Sequence, residues 1–296
     1  MSRTAVSVGS VSVLLVTALG AGGCSRPPDN EPPVATPSLT LARTDAAIGA
    51  PVEMTYRFVV APNAPAFSED YWVFVHFLDA DGEMMWTDDH PPPVPTRQWK
   101  PGQTVEYERT MFVPKFPYVG DARVELGLVS LKTGARLPLA GTSKGQREYE
   151  VASFNLHRQT DNLFVVFKDG WHQTEVAEEG NGIEWQWSKQ TATLAFRNPM
   201  RDVTFYFECD QPIADLGETQ HVELRIAAAV IDAFDLAPGM KELRKIPLAR
   251  GQMGEAETVA VTVSAGKTFV PATVASLKSS DSRELGIRVF RAYVQP

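Results

Sequence analysis

Residues 71–93 read YWVFVHFLDADGEMMWTDDHPPP, and this stretch decides the fold. Tyr71–Leu78 is apolar on both faces apart from His76, the pattern of a strand buried in the middle of a sheet. Asp79-Ala80-Asp81-Gly82 supplies turn chemistry, because Asp accepts from nearby backbone amides and Gly permits positive φ. Glu83–Thr87 then returns as a second strand. Asp88-Asp89-His90 and the stop Pro91–Pro93 end it, since proline cannot donate to a sheet ladder. The stretch is therefore a β-hairpin with a polar end.

The flanking sequence keeps the same period of two. Val52, Met54, Tyr56, Phe58 and Val60 alternate with polar or small residues. Val105 and Tyr107 alternate with Glu106 and Glu108, and Ala122, Val124, Leu126 and Leu128 with Arg123 and Glu125. Arg136–Leu139 and Arg147–Val151 read as closing strands. Turn signals at Pro101-Gly102, Gly120-Asp121 and Thr133-Gly134 separate these runs. About seven short strands in residues 38–151 predict an Ig-like or fibronectin-like β-sandwich.

Residues 154–296 predict a second all-β domain. Its strand-like runs are Leu163–Phe167, Ile183–Trp187, Thr191–Arg197, Val203–Cys209, His221–Val230, Thr258–Val263 and Leu285–Val294. The alanine-rich Glu223–Phe234 could be helical, but its alternation and Pro238-Gly239 favour a strand. Asp235–Arg250 reads as a long charged loop. The strand count suggests a jelly-roll-like sandwich. Cys209 alternates in phase with Val203, Phe205 and Phe207, which predicts a buried, inert thiol.

The N-terminus is read as an export signal. Arg3 is the only charge in the first 25 residues, Val6–Leu19 is an apolar run, and Gly20-Ala21-Gly22-Gly23 precedes Cys24. The run is short for a transmembrane helix, which takes about 20 residues. Small residues directly before a cysteine resemble the lipobox of bacterial lipoproteins, although Ala21 stands where that pattern prefers Leu. The resemblance implies cleavage after residue 23, acylation of Cys24 and attachment to a membrane; Ser25 rather than Asp after it favours an outer-membrane address. An ordinary secretory signal with an incidental cysteine is the other reading. Residues 24–37 then form a tether, with five prolines in RPPDNEPPVATP.

Two further resemblances bear on function. VFVHFLDADG, DDHPPPVPTRQWKPGQ and GDARVELGLVSLKTGARLPL, in residues 52–139, look like β-sandwich domains found beside envelope sugar-transfer and polysaccharide-related proteins of bacteria. Gly170-Trp171, Glu184–Trp187, Thr191–Leu194, Phe269–Ala272 and Ser280–Ile287 are similar to galactose-binding-like or carbohydrate-binding-module-like sandwiches. These resemblances imply a non-catalytic envelope module, without a residue set for catalysis.

Composition excludes some partners. The formal net charge is −8 and no Lys/Arg cluster supplies the basic stripe that nucleic acid requires. Candidate ligand-binding residues are Trp171, Trp185 and Trp187, because an indole offers a flat apolar platform to the C–H face of a sugar. Trp185 and Trp187 are two apart, so a strand puts them on one face; the bland reading is that this face is core. Asp281 and Arg283, two residues apart before the last strand, either hold a sugar hydroxyl or lock their own loop. His76, Asp79, Asp81, Asp88, Asp89 and His90 could gather around a calcium ion, but Gly82 follows Asp81 too early for an EF-hand, and turn bonding explains the carboxylates. Gly141-Thr142-Ser143-Lys144-Gly145 has the letters of a hydrolase elbow without the helix that elbow needs. Glu178-Glu179 reads as part of a solvated loop. The expectation is a binding protein with no cofactor and no enzymatic activity, its partner a glycan or an envelope protein; a purely structural docking protein without a small ligand is the alternative.

Overall fold

The computed structural model describes residues 31–177, 183–211 and 219–296. The stretch read as an export signal and Cys24 lie outside them, as do Glu178 and Glu179. Residues 33–296 form one compact unit; among its described residues it is all-β and built from four sheets.

The first pair of sheets encloses one apolar core. Strands β1 (Ala35–Leu41), β3 (Pro51–Val60) and β6 (Thr104–Phe112) make a three-stranded antiparallel sheet. Facing it are β2 (Asp45–Ala47), β9 (Glu148–His157), β7 (Gly120–Val129), β4 (Trp72–Leu78) and β5 (Met84–Thr87) in that order, with β8 (Thr142–Gly145) paired to β9. Met54, Tyr56 and Phe58 meet Val73, Val75 and Phe77 and Val124, Leu126 and Leu128 in the core. The expected alternation of β3, β6 and β7 is therefore the alternation observed.

The hairpin of residues 71–93 folds as expected, and its polar end is consumed by its own structure. Asp79 Oδ1 accepts from the backbone N–H of Asp81 and Glu83 at 3.0 and 2.8 Å. Asp89 Oδ1 accepts from Val75 N at 2.9 Å, and Arg109 grips Asp88 through two bonds of 3.1 and 2.8 Å. His90 is buried. Its Nδ1 donates to the Asp88 carbonyl at 2.7 Å, so Nε2 accepts from the Tyr107 hydroxyl at 2.9 Å. Burial lowers the pKa of His90 and favours this neutral form. Among the described residues, no group of three or more His, Cys, Asp or Glu side chains could hold a metal ion.

The second pair of sheets encloses a separate core. One sheet runs β10 (Val166–Phe167), β13 (Thr191–Arg197), β18 (Thr258–Ala265), β15 (Gln220–Ile226) and β16 (Ala229–Leu236). The other runs β11 (Glu175–Val176), β12 (Glu184–Trp187), β19 (Arg288–Gln295), β14 (Val203–Asp210) and β17 (Lys241–Leu248). Phe205, Phe207 and Cys209 face this core with Leu194, Leu224 and Val261. Cys209 is fully buried, and desolvation raises the pKa of its thiol.

Several boundaries differ from the sequence reading. Arg136–Leu139 is not a strand and makes only single bridges, Arg136 to Val129 and Leu139 to Ala35; the expected Leu163–Phe167 shrinks to Val166–Phe167, and the last strand runs Arg288–Gln295 rather than Leu285–Val294. Ala35-Thr36-Pro37 is not tether: it begins β1, which pairs with β3 along its whole length. Strand β9 extends to His157, because Phe154 and Leu156 remain in the core past a register shift at Val124/Glu125. His221–Val230 is not one strand. Ala227 has φ 51° and turns the chain between β15 and β16. Asp235–Arg250 is not a loop throughout, since β17 lies inside it and pairs with β14 over eight positions.

Tyr206 points away from the second core and touches the first sandwich. Its hydroxyl donates to Glu53 at 3.0 Å, Lys245 Nζ lies 2.9 Å from the same carboxylate, and its ring meets Phe112 edge-on at 6.1 Å. Adjacent residues thus do opposite work. Phe205→Ala should cost about 3–5 kcal/mol by opening a core cavity, whereas Tyr206→Phe should cost about 1 kcal/mol for one hydrogen bond. Chemical denaturation of the two variants checks the difference; equal losses would contradict it.

Candidate functional site

The outer face of the sheet β11-β12-β19-β14-β17 carries the densest set of aromatic and charged groups near the predicted residues. Register explains the assembly. Trp187 lies opposite Arg288, Arg288 opposite Asp210, and Asp210 opposite Lys241. The flanking Val289 and Cys209 belong to the core, so this row faces outward.

Trp187 is on that outer face, yet it is buried. Residues 267–285 fold over the sheet, and Trp187 packs with Phe269 and Leu285 in a satellite cluster that Trp185, Val274 and Leu277 border. The Trp187 and Phe269 rings meet edge-on at 5.7 Å. Trp187 therefore holds down a segment and cannot be a sugar platform. The common face predicted for Trp185 and Trp187 is the one observed. Trp171 is elsewhere: it seals the end of the second core against Phe167, 4.8 Å away, and donates from Nε1 to the Thr193 carbonyl at 2.8 Å.

Trp185 is half-buried. Its Nε1 donates to Glu175 Oε2 at 3.1 Å. Glu175 Oε1 lies 2.8 Å from Arg283 Nη1 as an ion pair, without the direction of a hydrogen bond. Arg283 in turn clasps Asp281 with Nε and Nη2 at 3.0 and 2.7 Å, and its backbone N–H donates to the same carboxylate at 2.9 Å. The Asp281–Arg283 pair thus acts as a loop lock, and it also reaches Trp185 through Glu175. Hydrogen bonds from Arg283 hold the Asp281 carboxyl down to about 2.

The sequence reading did not single out the other half of the site. The Arg288 guanidinium lies 5.0 Å from the Trp185 ring centre and 5.3 Å from that of Phe290. Its Nε and Nη2 are fixed on Asp210 at 2.9 and 2.7 Å. Lys241 Nζ sits 4.0 Å over Phe290 and 3.1 Å from Glu208, which Arg291 approaches at 3.3 Å. Pairing across strands brings Asp210, Glu208 and Lys241 to Arg288 and Phe290, and that pairing depends on register.

A cleft of about 80 Å³ lies where the two sandwiches meet, lined by Arg43, Asp45, Pro51, Glu53, Tyr206 and Gln295 among others. That is well below the several hundred Å³ of an ordinary ligand pocket. Ser143, the would-be nucleophile, is in an exposed strand, and its Oγ accepts from Gly145 N at 3.3 Å.

No family model matches the chain, and no curated protein matches it. Solved structures give weak and mixed likenesses. The alkylpurine DNA glycosylase AlkC of Pseudomonas fluorescens is 13% identical over 43% of this chain and 31% of its own, with a TM-score of 0.25. The secreted serine protease VesC of Vibrio cholerae is 11% identical over 88% and 51%, with a TM-score of 0.23. The exo-β-1,3-galactanase of Phanerochaete chrysosporium is 10% identical over 81% and 54%, with a TM-score of 0.29. The chain spans from about a third to just over half the length of these proteins. At such scores they identify neither a fold family nor an activity.

The lock gives a pH prediction. The depressed Asp281 pKa means a stabilising contribution that is present above the ordinary Asp range and lost as pH falls through about 2. Carboxyl-carbon NMR should show Asp281 titrating near 2, and Arg283→Ala should return it to roughly 4. An ordinary titration in the native chain would remove the lock.

Proposed function

We propose that this chain is a non-catalytic envelope lipoprotein, acylated at Cys24, that holds two β-sandwiches off a membrane and binds glycan at the Trp185–Phe290 strip. In this reading the first sandwich is of the Ig-like or fibronectin-like type, and the second is of the jelly-roll or galactose-binding-like type. The carrying observation is the strip itself. Two partly exposed rings 6.2 Å apart stand on a rigid sheet beside Arg288, whose Nη1 takes no part in its bonds to Asp210. The open part of a ring face can meet sugar C–H groups, and the remaining guanidinium donors can meet hydroxyls.

The charges narrow the ligand. Arg283, Arg288, Lys241 and Arg291 are matched by Asp281, Glu175, Asp210 and Glu208. A charged sugar would have to displace an existing carboxylate or cation, whereas a neutral glycan would not. The burial of Trp187 favours a second reading, in which the same strip docks an envelope protein and no small ligand exists.

Titration of the mature protein with a panel of neutral and acidic oligosaccharides tests the site. Binding should be to neutral members, should weaken at least about tenfold in Trp185→Ala, roughly 1.4 kcal/mol, and should persist in about 0.5 M salt. Trp171→Phe, away from the strip, should leave it unchanged. No binding across the panel would leave the protein-docking reading. Fractionation tests the anchor: Cys24→Ala should move the protein out of the membrane fraction, and retention there with normal processing would sink the lipoprotein assignment.

A further inference from the structure

The chain enters the first sandwich at an end rimmed by apolar side chains. Strand β1 begins at Ala35, opposite Val60 at the end of β3. The Val34 N–H donates to the Pro138 carbonyl, and the Ala61 N–H to the Val34 carbonyl, each at 2.9 Å. Three loops gather around this entry, residues 61–71, 91–103 and 130–135. Strand β4 starts at Trp72, opposite Val129 at the end of β7, and the Tyr71 N–H donates to Thr96 Oγ1 at 2.8 Å. Trp99 fixes the middle loop from beneath. Its ring meets those of Phe58 and Phe67 at 5.2 and 5.8 Å, and its Nε1 donates to the Val94 carbonyl at 2.9 Å.

The third loop pushes an apolar side chain into solvent. Ser130 is fully buried. Its Oγ accepts from the N–H groups of Lys132 and Thr133 at 3.2 Å each. Its carbonyl accepts from Gly134 N, and its own N–H donates to the Ala135 carbonyl, both at 2.9 Å. The turn satisfies its polar groups internally and leaves Leu131 at its tip. At 64% exposure Leu131 exceeds every other large apolar side chain among the described residues. A solitary exposed leucine means little. Here Val94, Pro93 and Pro101 are exposed at the same end, where the tether joins the fold. Lys132 and Lys100 are exposed on these loops as well. Arg97 is held by Asp70 through bonds of 3.0 and 2.7 Å.

We propose that this end of the first sandwich seats on the lipid surface, with Leu131 dipping into the interface and Lys132 and Lys100 meeting headgroup phosphates. The inference rests on the acylation of Cys24 proposed above. Ten residues, Cys24 to Pro33, join the lipid to the fold, and they reach at most about 35 Å. The near end can therefore settle on the bilayer. Strand β3 has ten residues, so the opposite end lies about 30 Å further on. That end touches lipid only if the tether is laid back along the whole sandwich. One leucine cannot hold a protein on lipid, but beside an acyl chain its insertion is an intramolecular step. Lysine stems lie along apolar surface while their ammonium groups reach the phosphates. The second sandwich meets the first at Glu53 and Phe112, near the start of β3 and the end of β6. The seat therefore holds the second sandwich, with its aromatic strip, at the far end from the lipid.

The mature chain coupled through Cys24 to a maleimide lipid, in bilayer nanodiscs of phosphatidylethanolamine and phosphatidylglycerol, tests the seat; Cys209 is buried and does not compete. Nitroxides on the lipid headgroups should broaden the amide signals of residues 131–133. They should spare Met84, 58% exposed at the opposite end beside Leu78. Leu131→Ser, on a surface turn, should lower the ratio of seated to unseated protein at least about tenfold, or about 1.4 kcal/mol. Met84→Ser should leave that ratio unchanged. Even broadening at the two ends, or a Leu131→Ser variant that seats as well as the native chain, overturns the proposal. So does self-association of the uncoupled chain that Leu131→Ser abolishes, which would assign the patch to a second copy. Coupling replaces acylation, so these outcomes bear on the seat alone, and fractionation of Cys24→Ala remains the measure of the anchor.

Discussion

The period-two alternation of β14 is the constraint on which the second sandwich and its contacts depend. Phe205, Phe207 and Cys209 go inward and fill the core, so Tyr206, Glu208 and Asp210 must go outward. Each outward residue has a distinct partner. Tyr206 meets Glu53 of the first sandwich, Glu208 collects Lys241 and Arg291, and Asp210 fixes Arg288. A one-residue slip would put all three in the core and all the aromatics in water. Core packing therefore specifies the outer face as firmly as the inner one.

A β-bulge completes the arrangement. Glu208 pairs with Arg291 and Cys209 with Val289, leaving Phe290 as the extra residue. An extra residue bends its strand and re-aims a side chain. Here it places Phe290 between Lys241 and Arg288 and within 6.2 Å of Trp185. The ion pairs around it are partly buried, so their net contribution to stability is small while loss of one partner is costly. Their stronger effect is positional: a guanidinium with two bonds to a carboxylate cannot wander over an aromatic face. Side chains held this way would lower the entropic cost of binding at the proposed site.

Period two made much of the fold legible, because one core per sheet pair forces it. The inward set Met54, Tyr56, Phe58 and the inward thiol of Cys209 were readable from alternation alone. The hairpin between β15 and β16 was not. Ala227 enters a left-handed conformation without a glycine or asparagine to announce it, and the alternation of Val222, Leu224 and Ile226 reads on through the turn. Strand β17 was hidden for another reason. Its inward positions include Arg244, which stacks 4.7 Å over Phe234 and pairs with Asp232, so a charged residue occupies a place where an apolar one was sought. For the site, the residue types were legible and the burial was not. Trp187 shares a face with Trp185, but only the path of residues 267–285 reveals that this end of the face is covered.

The two sandwiches differ in what their polar groups have left to offer. In the first, Asp88, Asp89 and His90 form a dense polar cluster that suggests chemistry from sequence. Each is used internally, on Arg109, on the Val75 amide and on Tyr107. Burial of His90 further removes it from solvent. In the second, the Arg288 guanidinium commits one edge to Asp210 and lies on Trp185 and Phe290 at a partly open surface. A group that is fully satisfied inside the fold has no free energy to gain from a ligand. A group held in place with donors to spare does. That difference, more than the number of acidic or aromatic residues, moves the binding hypothesis from the conspicuous hairpin of the first sandwich to the outer face of the second.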